Sequence, residues 1–338
     1  MPSDPGPPPP DQLDATTHAA QLTEIIADKL TPIAPAAGKP RCFMLGGQPG
    51  AGKTTLRQPI LDALGAGNVL VIDPDELRTY HPHYADFVDE NPVTAASRSH
   101  PDASAWAREL RAAALAAGVN VMLDGTLGWA QGAVETAQEV VDAGYDVEVH
   151  AVAVPLEASR LGVRTRLETS HAEAAVWEGD EALRPLPRDV PESIQGEAYR
   201  GLPESLEWLS ESGLVSRMRV SNRAGDKLAD VSGKRAIRQA VAAEANPFAA
   251  ALTQERDRVW TEAEIQKFAD QTGVVLSLMQ ARRARTAGNG AEQLGAEMED
   301  VRAQSLRVVQ QRSADLDRAR AAWVGRVLDV EVADPAGQ

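Results

Sequence analysis

Residues 42–64 read CFMLGGQPGAGKTTLRQPILDAL, and this stretch decides the fold. The short apolar run Cys42–Leu45 ends at two glycines, and a helical stretch begins at Thr54. Between them, residues 47–54 fit the pattern G-x-x-x-x-G-K-[ST], whose glycines let backbone N–H groups surround a polyphosphate. A strand, a glycine-rich turn and a helix in this order predict a phosphate-binding loop.

The composition of this loop predicts a nucleotide-phosphate site that also uses Mg²⁺. Lys53 is expected to reach the β- and γ-phosphates, and the Thr54 hydroxyl is expected to bind Mg²⁺. The expected ATP-binding residues are Gly47, Gln48, Pro49, Gly50, Ala51, Gly52, Lys53, Thr54 and Thr55. The loop alone indicates nucleotide binding and leaves the reaction open, because switches, motors and kinases share it. The sequence has no N-K-x-D motif, which disfavours a GTPase.

Outside the loop, short β-rich runs alternate with helical stretches. The predicted strands are Val69–Ile72, Val119–Leu123, Val147–Val154 and Val215–Val220, and the predicted helices lie near 101–117 and 131–143. Strands that alternate with helices are typical of βαβ units and a parallel sheet. The sequence therefore predicts an α/β fold: a P-loop kinase-like, doubly wound, mostly parallel sheet, followed by an all-helical C-terminal extension.

The flanking segments suggest a domain plan. We predict a disordered proline-rich tail (1–10), an N-terminal helix (11–35), the kinase domain (36–245), a helical extension (246–330) and a flexible tail (331–338). Thr261 and Glu264 have the spacing of a capping box, which marks the start of a helix in the extension. Apolar residues at helical spacing from Leu294 onward predict a helical hairpin or small bundle.

The charge balance and the cysteine count exclude several classes of protein. The 338 residues include 34 Lys and Arg against 49 Asp and Glu, a net charge of −15, which argues against a nucleic-acid partner. The single cysteine, Cys42, cannot form an intramolecular disulfide and is expected to fill the sheet core. No leader pattern and no long apolar run is present, so we expect a cytoplasmic protein without a membrane contact.

Two carboxylates follow the second predicted strand. Asp73 and Asp75 fall just past its carboxyl end, the edge at which doubly wound sheets bind ligands. A carboxylate there could accept a proton from a phosphate acceptor or help to hold Mg²⁺. Capping of the next helix is an equally good interpretation of Asp73.

The chain resembles the zeta toxins of toxin–antitoxin modules, which are P-loop kinases of UDP-N-acetylglucosamine. The resemblance covers about residues 40–230 and is carried by several stretches, which are the loop 47–57, the segment from Asp73 to Pro82, Asp124-Gly125-Thr126, the segment from Ala153 to Glu168, and Gly213-Leu214 with Asn222-Arg223-x-Gly225. It implies ATP as phosphate donor and a nucleotide sugar as acceptor.

The resemblance also implies roles for particular residues. Asp75 would be the general base, Lys53 would hold ATP, and Arg166 and Arg188 would contact the transferring phosphate, with Arg184 as the alternative to Arg188. The implied acceptor-binding residues are Asp73, Arg78, His81, Asp124 and Thr126. A histidine that braces the acid loop is an equally good interpretation of His81, and a β-turn residue is an equally good interpretation of Thr126.

Two departures from the family pattern concern the acceptor. Asp124 stands where the family has glutamate, and residues 177–183 are extra in the lid. They keep other acceptors open, namely an antibiotic, a dinucleotide or a polynucleotide end, and a non-catalytic ATP-binding interaction module is the further alternative. Zeta relatives are restrained by a helical antitoxin, so a separate antitoxin or a cis-acting segment (11–30 or 247–330) is a possible partner. A passive helical cap is the alternative for these segments.

Overall fold

A computed structural model describes residues 11–179, 184–242 and 246–332. It omits the side chains of Val93 and of residues 323–332. The predicted tail at 1–10, residues 333–338 of the predicted C-terminal tail, and residues 180–183 of the lid lie outside the described residues.

The described chain contains one six-stranded sheet. Its strands are β1 (Arg41–Gly46), β2 (Val69–Ile72), β3 (Asn120–Asp124), β4 (Asp146–Ala153), β5 (Val215–Asn222) and β6 (Lys227–Ser232). The strand order is β2-β3-β1-β4-β5-β6, and all neighbours are parallel except β5 and β6. The strand before the phosphate loop, β1, therefore lies between β3 and β4, and the ends of β1 and β3 lie side by side.

Helices connect and flank these strands. They are α1 (Ala15–Ile25), α2 (Thr54–Leu64), α3 (Pro74–Leu77), α4 (Tyr84–Glu90), α5 (Pro92–Ala117), α6 (Ala130–Asp142), α7 (Leu156–Ala175), α8 (Glu192–Glu211), α9 (Lys234–Val241), α10 (Pro247–Asp257), α11 (Glu262–Arg285) and α12 (Asn289–Val332). Together the sheet and helices confirm the predicted class, a mostly parallel doubly wound sheet with a helical C-terminal region.

Two apolar clusters cover the faces of the sheet. The larger contains Cys42, Met44 and Trp106 with residues of α5, α6, α8 and α10, and the smaller packs α2 against Phe43 and Leu45. Successive residues of β1 thus point to opposite faces, as the two-residue period of a strand requires. Burial raises the pKa of the Cys42 thiol to about 12, so the side chain is a small core hydrophobe.

Three of the differences between the structure and the sequence prediction have a clear physical cause. Helix α5 begins at Pro92, because Pro101 is accommodated inside the helix and does not end it. Strand β6 was not predicted, since its sequence KLADVS is polar and it pairs antiparallel with β5 as an edge strand. Helix α8 was also missed, although it buries Leu202, Leu206 and Leu209 at helical spacing.

The described residues form two compact units. The first contains the described residues up to Val163 and from Leu186 to Arg256, which include the whole sheet. The second contains Arg164–Pro185 and the described residues from Asp257 onward.

Within the second unit, α11 and α12 form an antiparallel hairpin. Thr272 donates a hydrogen bond to Ser305, and Arg320 pairs with Glu262, so residue numbers rise along one helix as they fall along the other. The predicted capping box is present, because the Thr261 side chain accepts from the backbone N–H of Glu264 while the Glu264 carboxylate accepts from that of Thr261. The predicted helical hairpin is therefore part of the structure.

Charged groups are also buried in this unit. Glu168 is buried and lies 3.1 Å from the Arg282 guanidinium, which also approaches Glu297. Gln271 donates to the Thr165 hydroxyl at 2.8 Å, which ties α11 to the C-terminal part of α7. A search of the described residues finds no helix with the length and apolarity needed to cross a bilayer.

Candidate active site

The turn between β1 and α2 has the backbone of a phosphate cradle. Gly50 and Gly52 have φ angles of 77° and 89°, in the left-handed region that favours glycine. Among the described residues, no acceptor is bonded to the N–H groups of Gly50, Gly52 or Lys53. These donors lie at the N-terminus of α2, where the helix dipole adds positive potential. The loop can therefore receive several anionic oxygens.

The packing of the loop against its neighbours requires glycine at two positions. A Cβ atom on Gly50 would lie 2.1 Å from the Ser159 carbonyl oxygen, and one on Gly47 would lie 2.6 Å from a Val152 methyl group. The carbonyl oxygen of Gly50 also accepts a hydrogen bond of 2.7 Å from Arg223. The start of α7 and the end of β5 thus fix the outer side of the loop.

Gln48 anchors the loop to the interior. Its side chain is fully buried, and its amide nitrogen donates to the Val154 carbonyl at 2.8 Å and to the Ser159 hydroxyl at 3.2 Å. The pattern G-x-x-x-x-G-K-[ST] leaves this position free, so the motif did not predict its structural role.

Lys53 links the loop to the neighbouring strand end. Its ammonium lies 3.4 Å from the Asp124 carboxylate and 3.4 Å from the Gly47 carbonyl oxygen. The N–H of Gly47 in turn donates to the Thr126 carbonyl at 3.1 Å. The ends of β1 and β3 therefore form one connected edge, as the parallel register predicts.

The first carboxylate after β2 is a helix cap with a perturbed pKa. Asp73 is the N-cap of α3, and its side chain accepts from the Asp75 backbone N–H at 2.9 Å. Burial, with the negative charges of Asp75 and Asp124 adding to it, raises the pKa of Asp73 to about 6. The structure thus supports the capping interpretation and also places Asp73 in a cluster of three carboxylates.

Asp75 is held by arginines on both sides. Its carboxylate lies 2.6 Å from the Arg78 guanidinium, and its backbone carbonyl accepts from Arg188 at 3.1 Å. Arg78 also acts on the hydroxyl of Tyr84, a buried residue that the sequence did not single out: its positive charge opposes the burial that raises the Tyr84 pKa. The acidic side chain therefore sits beside two cations that could bind an anionic acceptor or a transferring phosphate.

His81 is enclosed in the first unit. It is 2% exposed, its ring lies 5.2 Å from that of Phe87, and its Nε2 atom lies 3.8 Å from Asp102. This geometry favours the interpretation as a brace for the acid loop. For Thr126, a hydrogen bond from the Gly128 N–H to its hydroxyl supports the turn interpretation, while its carbonyl contacts the phosphate loop.

The two units share the remaining predicted residues. Arg188 lies in the first unit with Lys53 and Asp75. Arg166 on α7 belongs to the second unit, as does Arg184, the predicted alternative to Arg188. The roles of Arg166 and Arg184 therefore stay predictions from the family pattern.

A cleft of about 260 Å³ opens beside Asp124 and Thr126. Its walls are mainly apolar and include Ile72 at the end of β2 and Trp129 at the start of α6, while Arg111 on α5 supplies a cation. Its size and position, at the carboxyl edge of the sheet, suit part of a small acceptor molecule.

The donor set fits Mg²⁺ with a bound nucleotide. The Thr54 hydroxyl lies at the first residue of α2, and Asp73 and Asp124 supply carboxylate oxygens at the adjacent strand ends. Magnesium prefers such oxygen ligands and is commonly held by one or two protein groups together with substrate phosphates. The positive φ angles of Gly50 and Gly52 give the loop the curvature of a polyphosphate cradle.

Several residues of this site could not be recognised from the motif. Arg223 in the turn after β5 and Ser159 on α7 contact the loop from far along the chain, and Tyr84 at the start of α4 lies beside Arg78. Arg223 lies within a stretch of family resemblance, which was the available signal for it. Tyr84 follows His83 in a segment without a motif, and only the folded structure brings it to Arg78.

Comparison with known proteins assigns the family. Residues 24–233 match the family model described as Zeta toxin. This range is more than half of the chain, and the protein belongs to the zeta toxin family. The resemblance seen in the sequence is thereby confirmed.

Individual relatives agree with this assignment. The chain is 32% identical over 193 residues to Toxin zeta of Enterococcus hirae, a match that covers 57% of this chain and 64% of that protein. It is also 32% identical over 130 residues to Toxin PezT of Streptococcus pneumoniae, covering 38% of this chain and 51% of that protein. The chain thus spans less than two thirds of the length of these curated relatives.

Solved structures show the same fold. A structure from the PezAT chromosomal toxin–antitoxin system of Streptococcus pneumoniae superposes with a TM-score of 0.64 at 20% identity, over 79% of this chain and 98% of that one. A structure of AvrRxo1-ORF1:-ORF2 with ATP gives a TM-score of 0.50 at 16% identity, over 85% and 84% of the two chains.

Proposed function

We propose that this protein is an ATP- and Mg²⁺-dependent kinase that phosphorylates a hydroxyl group of a nucleotide sugar, with UDP-N-acetylglucosamine as the acceptor, and that it acts in the cytoplasm as the toxin of a toxin–antitoxin system. The single observation that carries the proposal is that the phosphate loop and three carboxylates lie together at the carboxyl edge of the sheet. There the phosphate loop, with Lys53, lies beside the carboxylates of Asp124, Asp73 and Asp75.

The chemistry follows from how these groups are placed. The loop N–H groups and Lys53 bind the phosphates of ATP, and Thr54 would hold a Mg²⁺ ion that would supply charge neutralisation there. Asp75 accepts the proton of the acceptor hydroxyl as its oxygen bonds to the γ-phosphorus and the bond to ADP breaks. Arg188 and Arg166 stabilise the transferred phosphate by charge.

The neighbouring solved structures support parts of this proposal. One structure of the same fold was determined with ATP, which is consistent with ATP as donor. Another comes from a toxin–antitoxin system, which is consistent with an antitoxin partner. We extend this to a helical antitoxin, either a separate protein or a flanking segment of this chain.

The test is a direct search for product. The full-length protein is incubated with ATP, Mg²⁺ and a panel of acceptors, and mass spectrometry looks for an added phosphate. The panel contains UDP-N-acetylglucosamine, other nucleotide sugars, a dinucleotide, an aminoglycoside and a 5′-hydroxyl oligonucleotide. The proposal expects phosphorylation of UDP-N-acetylglucosamine. Preferential phosphorylation of a different acceptor would overturn the proposed substrate but not the proposed kinase activity.

Two variants make the assay specific. Asp75→Asn is expected to lower turnover by about 10²–10⁴-fold, the usual contribution of a general base, while ATP binding persists. Asp62→Asn is the matched control, because Asp62 is an exposed carboxylate on α2 that bonds only to Gln58 among the described residues. Equal turnover of Asp75→Asn and Asp62→Asn would overturn the assignment of Asp75. A protein that binds ATP and phosphorylates nothing would instead support the interaction-module alternative.

A further inference from the structure

Arg256 lies at the end of α10, beyond the 24–233 range of the family match. Its side chain is 4% exposed, and one guanidinium nitrogen donates to the Gln48 side-chain oxygen at 3.2 Å. A second nitrogen donates to the Tyr199 carbonyl at 2.8 Å, and the guanidinium carbon lies 3.9 Å from the centre of the Tyr199 ring. A residue 208 positions along the chain thus bonds directly to the phosphate loop.

The contact completes the hydrogen bonds of Gln48. Its amide nitrogen already donates to Val154 and Ser159, and Arg256 bonds to the oxygen at the other end of the amide. A fully buried amide with both ends occupied has one orientation, because reversing it would oppose donors to donors. Arg256 therefore fixes the rotamer of Gln48 and, through it, the position of the first half of the loop.

Helix α10 holds Arg256 firmly in place. Phe248 and Leu252 are fully buried in the larger core cluster. At the start of the helix, the Asn246 side chain accepts from the Phe248 N–H and donates to the Ser210 hydroxyl on α8. Both ends of α10 are thus tied to α8, and the guanidinium cannot shift without disturbing this packing.

Helix α8 connects the same anchor to the acceptor side. A Cβ atom on Gly201 would lie 1.9 Å from the Gly128 carbonyl oxygen, so the helix lies directly against the turn that follows Thr126. Tyr199, on which Arg256 stacks, lies two residues earlier on that helix. Arg256 therefore joins the phosphate loop to helix α8, which supports the turn that follows β3.

From these contacts we propose that Arg256 is a positioning residue for the phosphate loop, and that ATP affinity in this protein depends on a helix outside the family domain. This rests on the proposed function only for the choice of ATP as ligand. Arg256 orients Gln48 and does not itself contact the reacting atoms. Its loss leaves the acid segment intact, and the defect appears in nucleotide binding.

The experiment compares ATP binding and turnover in variants of the full-length protein. Arg256→Met is expected to weaken ATP binding, measured by calorimetry, by about tenfold or more, which is the effect of losing about 1.4 kcal/mol. The KM for ATP rises by the same factor, while kcat and the acceptor KM at saturating ATP change less than about twofold. Arg256→Lys keeps the charge but cannot bond to both Gln48 and Tyr199, so its ATP affinity is expected to lie between those of the wild type and Arg256→Met.

A double-mutant cycle shows whether the effect passes through Gln48. Gln48→Ala is expected to weaken ATP binding as much as Arg256→Met does, and the double variant to be no worse than either one. Additive losses would overturn the proposal, as would unchanged ATP affinity in a folded Arg256→Met protein. If Arg256→Met does not fold, the cycle is run with Arg256→Lys, and a lysine variant with wild-type affinity also counts against it.

The control is Arg235→Met, since Arg235 is an exposed arginine on α9 that also lies beyond the family match. It is expected to bind ATP as the wild type does. The calorimetric readout needs no acceptor, so a failure to find kinase activity leaves the test of Arg256 intact. Conversely, if the protein is an active kinase and substitution of Arg256 and Gln48 leaves its ATP affinity unchanged, only the positioning role of Arg256 is refuted.

Discussion

The phosphate loop and the acid segment (Asp73–Tyr84) lie at the same carboxyl edge of the sheet, after β1 and β2, but are built in different ways. The loop presents backbone N–H groups, and its shape depends on glycines pressed against Ser159 and Val152. The acid segment presents charged side chains that already bond to one another, as Asp75 does to Arg78. A binding surface made of backbone is sensitive to added atoms, whereas one made of side chains is sensitive to changes of charge.

The largest effect is expected from an added methyl group in the loop. Gly50→Ala would place Cβ 2.1 Å from the Ser159 carbonyl oxygen and 2.8 Å from the Val163 nitrogen, at a φ of 77°. Backbone atoms cannot give way cheaply, so we expect a loss of about 3 kcal/mol or more in unfolding free energy, together with loss of ATP binding. Urea unfolding and calorimetry measure the two effects.

The matched control for this variant is Gly67→Ala. No atom lies within 4 Å of a Cβ at Gly67, and its φ is not in the left-handed region. We expect a change within about 0.5 kcal/mol. If both alanine variants were equally stable, the close approach of the loop to α7 would not exist as described.

The same contrast explains what the sequence could predict. The loop was predictable because its requirements are local: two glycines, a lysine and a threonine at fixed spacing between a strand and a helix. The buried strands β1–β3 were predictable because parallel strands covered on both faces are nearly continuous apolar runs, and β4 because Val147, Val149 and Ala151 recur at every second residue. The placement of Asp73 and Asp75 at the carboxyl edge followed from the strand that precedes them.

The unpredicted parts depend on pairs that are distant in sequence. Arg256 meets Gln48 across 208 residues, and His18 meets Asp102 across 84. No local pattern encodes such contacts, because burial and hydrogen bonding are settled only when the helices pack. Edge strand β6 was missed for a related reason, since its polar sequence becomes a strand only by pairing with β5.

In the acid segment, a charge change rather than a clash should alter stability. Burial and the neighbouring carboxylates raise the pKa of Asp73 to about 6, so the native state binds more protons than the unfolded state between about pH 4 and 6. The contribution of Asp73 to the unfolding free energy therefore falls as the pH rises through this window and stays lower above it. Asp73→Asn keeps an N-cap oxygen for α3 and removes the charge.

We expect Asp73→Asn to be more stable than the wild type by about 1–2 kcal/mol at neutral pH, and we expect this difference to shrink as the pH falls from about 6 to 4. Urea unfolding in steps from about pH 4.5 to 7.5 measures this difference. A variant whose stability advantage over the wild type did not grow as the pH rises through this window would contradict the buried carboxylate cluster.

A smaller effect is expected from the cation that pairs with Asp75. Arg78→Met removes the guanidinium that pairs with the Asp75 carboxylate and acts by charge on the Tyr84 hydroxyl. We expect kcat/KM for the acceptor to fall about tenfold while ATP affinity is unchanged, because the loop does not depend on Arg78. Arg78→Lys keeps the charge and should recover part of the loss. An ATP defect in either variant would mean that the two regions are not independent.

The smallest effect should come from the N-terminal helix, which supports the acid segment from behind. His18 on α1 lies 2.7 Å from the buried carboxylate of Asp102 and 3.0 Å from the partly exposed carboxylate of Glu109, both on α5. His81 of the acid segment also faces Asp102. Burial lowers the pKa of His18, but the hydrogen bonds to Asp102 and Glu109 outweigh burial and raise it overall. Protonated His18 therefore stabilises the native state.

The sign of the pH effect follows from this direction. A raised histidine pKa gives stability that is fully present below about pH 6.5 and is lost as the pH rises through the native pKa. His18→Gln should cost about 1 kcal/mol at pH 6 and less at pH 9, and Glu109→Gln should cost less than that because Glu109 is partly exposed. Urea unfolding at both pH values measures the loss. If His18→Gln were as costly at pH 9 as at pH 6, packing against Trp106 rather than charge would hold α1 in place.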